Sequence, residues 1–206
     1  MNEQVWWYVA RSSGIVAWAV LTLSVVWGLM LSTRLMRARA APAWLLESHR
    51  FLGALGVIFT GVHLGGLVAD SYVHFGWAEL FVPMASEWQP GAVTIGIVTL
   101  YLMLAVELTS LVRTRLPKRL WRAVHLSSLP MFALATWHGL AAGTDVGSRL
   151  YAMVGVIAVD AVLFVLIVRI TAGRRAGSAA RAARTRTHVR EVDGLVAGPS
   201  PRPSDA

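Results

Sequence analysis

The chain has 206 residues, of which 56% are hydrophobic and only 15% charged, against about 45–50% and about 25% for an ordinary soluble domain. That excess is too large for one water-soluble core of this size, and the abundance of apolar residues equally excludes disorder as the main state. The absence of Cys removes disulfides, thiolate zinc sites, iron–sulfur clusters and covalent c-type haem, while the formal charge of +8 falls between apolar runs, the pattern of a membrane protein and not of a nucleic-acid binder.

Five apolar stretches reach the roughly 20 residues that a spanning helix needs. They run from about Ser13 to Thr33, Leu46 to Val68, Ala92 to Val112, Leu120 to Ala142 and Leu150 to Ile170. Only a helix satisfies its own backbone in hydrocarbon, and no alternating ten-residue pattern points to a barrel. The expected fold class is therefore all-α, a bundle of five transmembrane helices within residues 1–171. Ala38-Arg39-Ala40 resembles a signal-peptide cleavage site. However, Glu3 and a single Arg11 precede the first run while Arg34, Arg37 and Arg39 follow it, so the run is expected to be retained.

The loops set the expected orientation. Arg34, Arg37 and Arg39 lie in the first, and Arg113, Arg115, Lys118, Arg119 and Arg122 in the third. The tail adds Arg174, Arg175, Arg181, Arg184, Arg186 and Arg190. The other side has only Arg11 and Arg149, with Asp70, Glu79, Glu87 and Asp145. The positive-inside bias then puts the N-terminus outside and the C-terminus in the cytoplasm, with the second and fourth helices running outward in parallel. Within outer loop 70–91, AELFVPMASEW is expected to lie along the interface with Trp77 and Trp88 at headgroup level. Residues 172–206 read as a disordered basic tail that fixes topology and attracts anionic lipid, or docks a partner.

Of six His, His74 falls in the outer loop and His188 in the tail. The other four lie on the two outward-running helices: His49 and His63 are 14 residues apart, His125 and His138 are 13 apart. These spacings correspond to about 21 Å and about 20 Å of helix rise within a core about 30 Å thick. Parallel helices would bring His49 level with His125, and His63 with His138. Two six-coordinate haems stacked across the bilayer suit this pattern, each taking one imidazole from each helix. Small residues make room: Gly53, Gly56, Gly61, Gly65 and Gly66 on one helix, Ala133, Ala135 and Gly139 on the other. One link strains the reading, because 13 residues leave the imidazoles of His125 and His138 about 140° apart on a regular helix. Pro130 lies between them and offers a break. The competing readings are interfacial His side chains and a di-metal ion site, the latter disfavoured by the distance between pairs.

The runs HRFLGALGVIFTGVH and WRAVHLSSLPMFALATWHGLAAGTD, and FGWAELFVPMASEWQP between them, resemble the ferric-reductase-like transmembrane domain. That superfamily includes ferric reductases, NADPH oxidases and the haem-binding membrane subunit of bacterial methionine-sulfoxide repair systems. The resemblance covers about residues 5–171, with the paired His spacings its specific part. It implies that His49, His63, His125 and His138 are axial ligands of two b-type haems carrying electrons across the membrane. Arg11, in WYVARSSG, resembles an arginine that NADPH oxidases place near the outer haem, which implies contact with a propionate; a plain interfacial arginine is the other reading. The chain departs from six-helix members in lacking their first helix. Residues 172–206 are too few for an FAD and NADPH domain, so flavin or quinone is expected through a partner. Leu67 stands where NADPH oxidases carry a further His at the oxygen site, which argues against superoxide production.

Arg50, Arg119 and Arg122 flank the cytoplasmic haem position and are candidates for bidentate pairing with propionates, although each also serves the topology rule. Glu107 is expected to pair with Arg113. Asp160, deeper in the fifth helix, is costly unless paired or protonated; either acid suits a proton relay, a quinone border or a buried hydrogen bond. The sequence thus reads as a multi-pass plasma-membrane cytochrome, the electron-transfer subunit of an oxidoreductase with a flavoprotein or quinone partner. The alternatives are a non-catalytic anchor for a redox partner and a small-molecule or metal transporter.

Overall fold

The computed structural model describes residues 4–33, 43–71 and 75–196. Arg34, Arg37, Arg39, His74 and residues 197–206 lie outside them, as does the side chain of His188. Every described element is helical: α1 (Gln4–Ser32), α2 (Ala43–Ala69), α3 (Trp77–Phe81), α4 (Pro90–Leu111), α5 (Lys118–Leu126), α6 (Ser128–Ala142) and α7 (Arg149–Val196).

Four helices are long and apolar enough to cross a membrane: α1, α2, α4 and the Arg149–Ala179 part of α7. At 1.5 Å per residue, the 22 residues of α4, the shortest, span about 33 Å. Large apolar side chains stand exposed along them, among them Phe51, Ile58, Tyr101 and Phe164. An aqueous surface of that kind is not sustainable; lipid is its natural solvent. The chain is a multi-pass membrane protein.

The expected fourth span is instead two helices, α5 and α6, in succession. Pro130 lacks an N–H and its ring would collide with the carbonyl four residues back, so a continuous helix fails there. The chain turns at Ser127, whose N–H bonds to Val124 O at 3.0 Å and whose own carbonyl receives Met131 N–H at 2.9 Å. Pro130 thereby occupies the first turn of α6, where a missing donor costs little.

Antiparallel α1 and α2 form the closest pair. A Cβ on Gly66 would stand 2.8 Å from Ala10 N and 2.9 Å from Ala10 Cα, so this glycine lets the two backbones touch. At the other end of the pair, Trp27 Nε1 donates to Leu45 O at 3.1 Å. Val25 and Leu29 of α1 pack with Phe132 of α6 and Val162 of α7. Leu100 and Met103 of α4 pack on Met131. The loop after α2 folds back on α4 through Phe75, Leu80, Val93 and Ile97. There Trp77 is exposed and stacks on Phe81.

Beyond the apolar run, α7 departs from expectation. Where a disordered tail was expected from residue 172, the backbone continues as helix to Val196. The segment is rich in Ala and Arg, which are strong helix formers, and Gly173 and Gly177 are too few to stop it. Asp160 stands midway along the apolar run Leu150–Ile170, with its side chain exposed.

Gly66→Val forces a branched side chain against the Ala10 main chain, which cannot yield as a flexible side chain would. We expect a loss of about 1–3 kcal/mol. Gly61 has nothing within 4 Å of its would-be Cβ, so Gly61→Ala should be neutral or stabilising by up to about 1 kcal/mol. Thermal unfolding of both variants in one detergent checks the contrast.

Candidate functional site

The four membrane His come together as two facing pairs. His49 of α2 faces His125 of α5, with ring centroids 6.0 Å apart and planes at 79°. His63 of α2 faces His138 of α6 at 6.5 Å and 80°. The break at Ser127 carries this outcome, since a regular helix would have turned His125 and His138 about 140° apart.

Neighbouring helices hold the rings by a repeated device. His63 Nδ1 donates to Ala10 O at 2.7 Å, and His138 Nδ1 donates to Ala92 O at 2.8 Å. A carbonyl only accepts, so each ring carries a proton on Nδ1, and in the neutral form its Nε2 keeps a lone pair. One turn beyond each acceptor is a glycine. A Cβ on Gly14 would lie 2.9 Å from His63 Nδ1, and one on Gly96 would lie 2.7 Å from His138 Cε1. Ser24 and Gly28 repeat the spacing. Ser24 Oγ is 3.4 Å from His49 Nδ1, and a Gly28 Cβ would stand 3.0 Å from His49 Cε1. His125 is held differently, with Ser110 Oγ at 3.5 Å from its Nδ1 and Trp121 stacked on it at 5.0 Å and 21°. Among the described residues, none of the four Nε2 atoms has a hydrogen-bond partner.

One cavity of ≈ 810 Å³ is lined by all four His. At the His63–His138 end it reaches Arg11 and Asp145, and at the His49–His125 end Arg50, Arg113, Lys118, Arg122 and Arg169. Arg11 forms a bidentate ion pair with Asp145 and lies 4.8 Å from the Trp7 ring centroid. Arg50 and Arg122 are exposed at the cavity mouth; Arg119 is exposed and does not line it. The buried Trp121 Nε1 has no acceptor among the described residues, which leaves a donor unanswered beside His125.

Several partners escaped sequence reasoning. Of the glycines expected to make room, Gly53 and Gly56 line the cavity, whereas Gly66 serves helix contact and Gly61 and Gly65 meet nothing. The glycines that crowd the rings are Gly14, Gly28 and Gly96, on other helices. A signal for two of them existed: Gly14 and Gly28 stand 14 residues apart, as do His49 and His63, the match that antiparallel helices need. Glu107 was expected against Arg113. Its carboxylate instead lies over Gly53, with Oε1 2.6 Å from the would-be Cβ, and among the described residues it forms no ion pair. Arg169 was missed because it reads as part of the charged helix end.

Nitrogen-15 spectra of His-labelled protein should show His63 and His138 in the Nδ1-protonated form. Gly96→Val should abolish that signature for His138 and leave His63 unchanged. Nε2-protonated rings throughout would refute the seats.

Comparison with protein-family models, with curated proteins and with solved structures finds no match, so the two His pairs and their seats are what bears on function.

Proposed function

We propose that the chain is a b-type cytochrome of the plasma membrane that carries electrons across the bilayer through two bis-His haems. In this reading it has five spans, with α5 and α6 together making the fourth, an outer N-terminus and a cytoplasmic C-terminus. The supporting observation is the pair of facing imidazole couples with Nδ1 tethered and Nε2 free. An imidazole nitrogen binds a divalent metal at about 2.0–2.1 Å. Adding roughly an ångström from each nitrogen to its ring centre, two axial imidazoles have centroids about 6 Å apart. The observed 6.0 and 6.5 Å fit that spacing.

The other residues fit the group as well. Among the described residues no three His, Asp or Glu side chains converge on a point, and a porphyrin iron needs only two protein ligands. Gly14, Gly28 and Gly96 give the rings their places. The orphaned Trp121 donor and the cations Arg50, Arg113, Lys118, Arg122 and Arg169 suit propionate carboxylates at the cytoplasmic end. At the outer end Arg11 is already engaged by Asp145, which leaves less of its charge for a propionate than the sequence suggested.

Bound between imidazoles, haem supplies a reversible one-electron iron couple. The protein's part is to hold Nδ1–H on a fixed acceptor, which sets ring direction and raises the basicity of Nε2. The apolar walls keep water from the path. A ferric-reductase-like role follows, with a flavoprotein or quinone as the expected redox partner. The direction of electron flow is set by that partner.

Purified protein should show b-type bands in the reduced-minus-oxidised spectrum and bind two haems per chain. His63→Ala or His138→Ala should lower the ratio to one, and His49→Ala or His125→Ala should remove the other haem. Circular dichroism of each variant separates haem loss from unfolding. A folded but colourless protein after full haem supply reduces the pairs to edge-to-face ring contacts and overturns the proposal.

A further inference from the structure

Two faces of α7 have different surroundings. Val159, Val162, Val165 and Leu166 join the cluster with Val25 and Leu29 of α1 and Phe132 of α6. Those residues point about 100–160° away from Asp160 around the helix. On the other side, Met153, Val156, Ile157, Leu163, Phe164 and Ile167 lie within about 60° of Asp160, each 49–69% exposed. Their steps of three and four residues are those of a coiled-coil seam, with a single polar residue at its centre.

A carboxyl at mid-span facing acyl chains has no hydrogen-bond partner there, and ionisable groups in membranes face a bundle interior or pair with each other. The chain supplies no cation to this face; Arg169, the nearest on α7, lines the cavity. We propose that this face docks a second copy of the chain, α7 against α7 in parallel, with the two Asp160 carboxyls opposed across a two-fold axis.

Membrane insertion gives two copies the same orientation, so the seam meets its own image in register and Asp160 meets Asp160. The chemistry is self-complementary. A protonated carboxyl has both a donor and an acceptor, so two opposed carboxyls answer each other without any outside cation. One polar residue at the centre of an apolar seam also fixes register, because any slip buries it against hydrocarbon. The cavity and both His pairs lie away from this surface, so the proposal stands independently of the haem reading.

The chain has no Cys, so an introduced one is unique. In lipid nanodiscs or vesicles holding the purified full chain, Val156→Cys and Ile167→Cys should give disulfide-linked dimers under mild oxidant. Val154→Cys, which is also exposed but turned about 120° away, should not. Energy transfer between labelled copies should show about tenfold weaker self-association for Asp160→Leu, with Asp160→Asn close to the parent because an amide still donates and accepts. Equal cross-linking at all three positions, monomers at every lipid dilution, or no response to Asp160→Leu overturns the proposal. So does a cross-link from Val156→Cys in native membranes to a different protein only, which assigns the face to a foreign helix.

Discussion

Holding an imidazole still inside a helix bundle requires an acceptor for Nδ1, and the helix backbone offers one only where nothing covers it. Main-chain carbonyls are screened by the side chain one turn further on. Where that residue is glycine the screen is gone, and a ring from the next helix can reach in. Ala10 with Gly14 and Ala92 with Gly96 are two such openings, and Ser24 with Gly28 is a variant in which a hydroxyl faces the ring. The rest of the architecture follows from these seats. They dictate that α1 lie antiparallel to α2 in one register, that α4 back α6, and that the free nitrogens turn inward.

The break between α5 and α6 belongs to the same constraint. A straight helix over 118–142 satisfies hydrocarbon but cannot aim both His125 and His138 at α2. Pro130 resolves the conflict by forfeiting one ladder bond, and Ser127 absorbs the turn with its hydroxyl on Val124 O at 2.6 Å. α5 is then free to rotate separately, which places Trp121 flat on His125. This half of the site depends on ring stacking where the other depends on main-chain acceptors.

Much of this was legible because helices convert sequence spacing into distance. The His spacings on parallel helices gave the pairing of His49 with His125 and His63 with His138. The misfit of 13 residues marked where the helix had to break. Glycine positions were legible in kind but not in place, since composition shows that room exists without showing which neighbour needs it. Asp145 could not be found as the partner of Arg11, because 134 residues separate them and no local pattern links a helix start to a distant turn. The helical continuation of α7 was missed for another reason. Arginine was weighed there as charge, whereas in an alanine-rich stretch it also favours helix.

The clasp between Arg11 and Asp145 has a consequence for how the protein is made. Arg11 emerges from the ribosome in the first dozen residues, but its counter-ion follows only after α6 has been synthesised. Until then the guanidinium must remain hydrated at the bilayer surface, and α1 can lean on α2 alone. The earliest helix to enter the membrane is thus among the last to reach its final neighbours. Chain order and order of completion run in opposite directions.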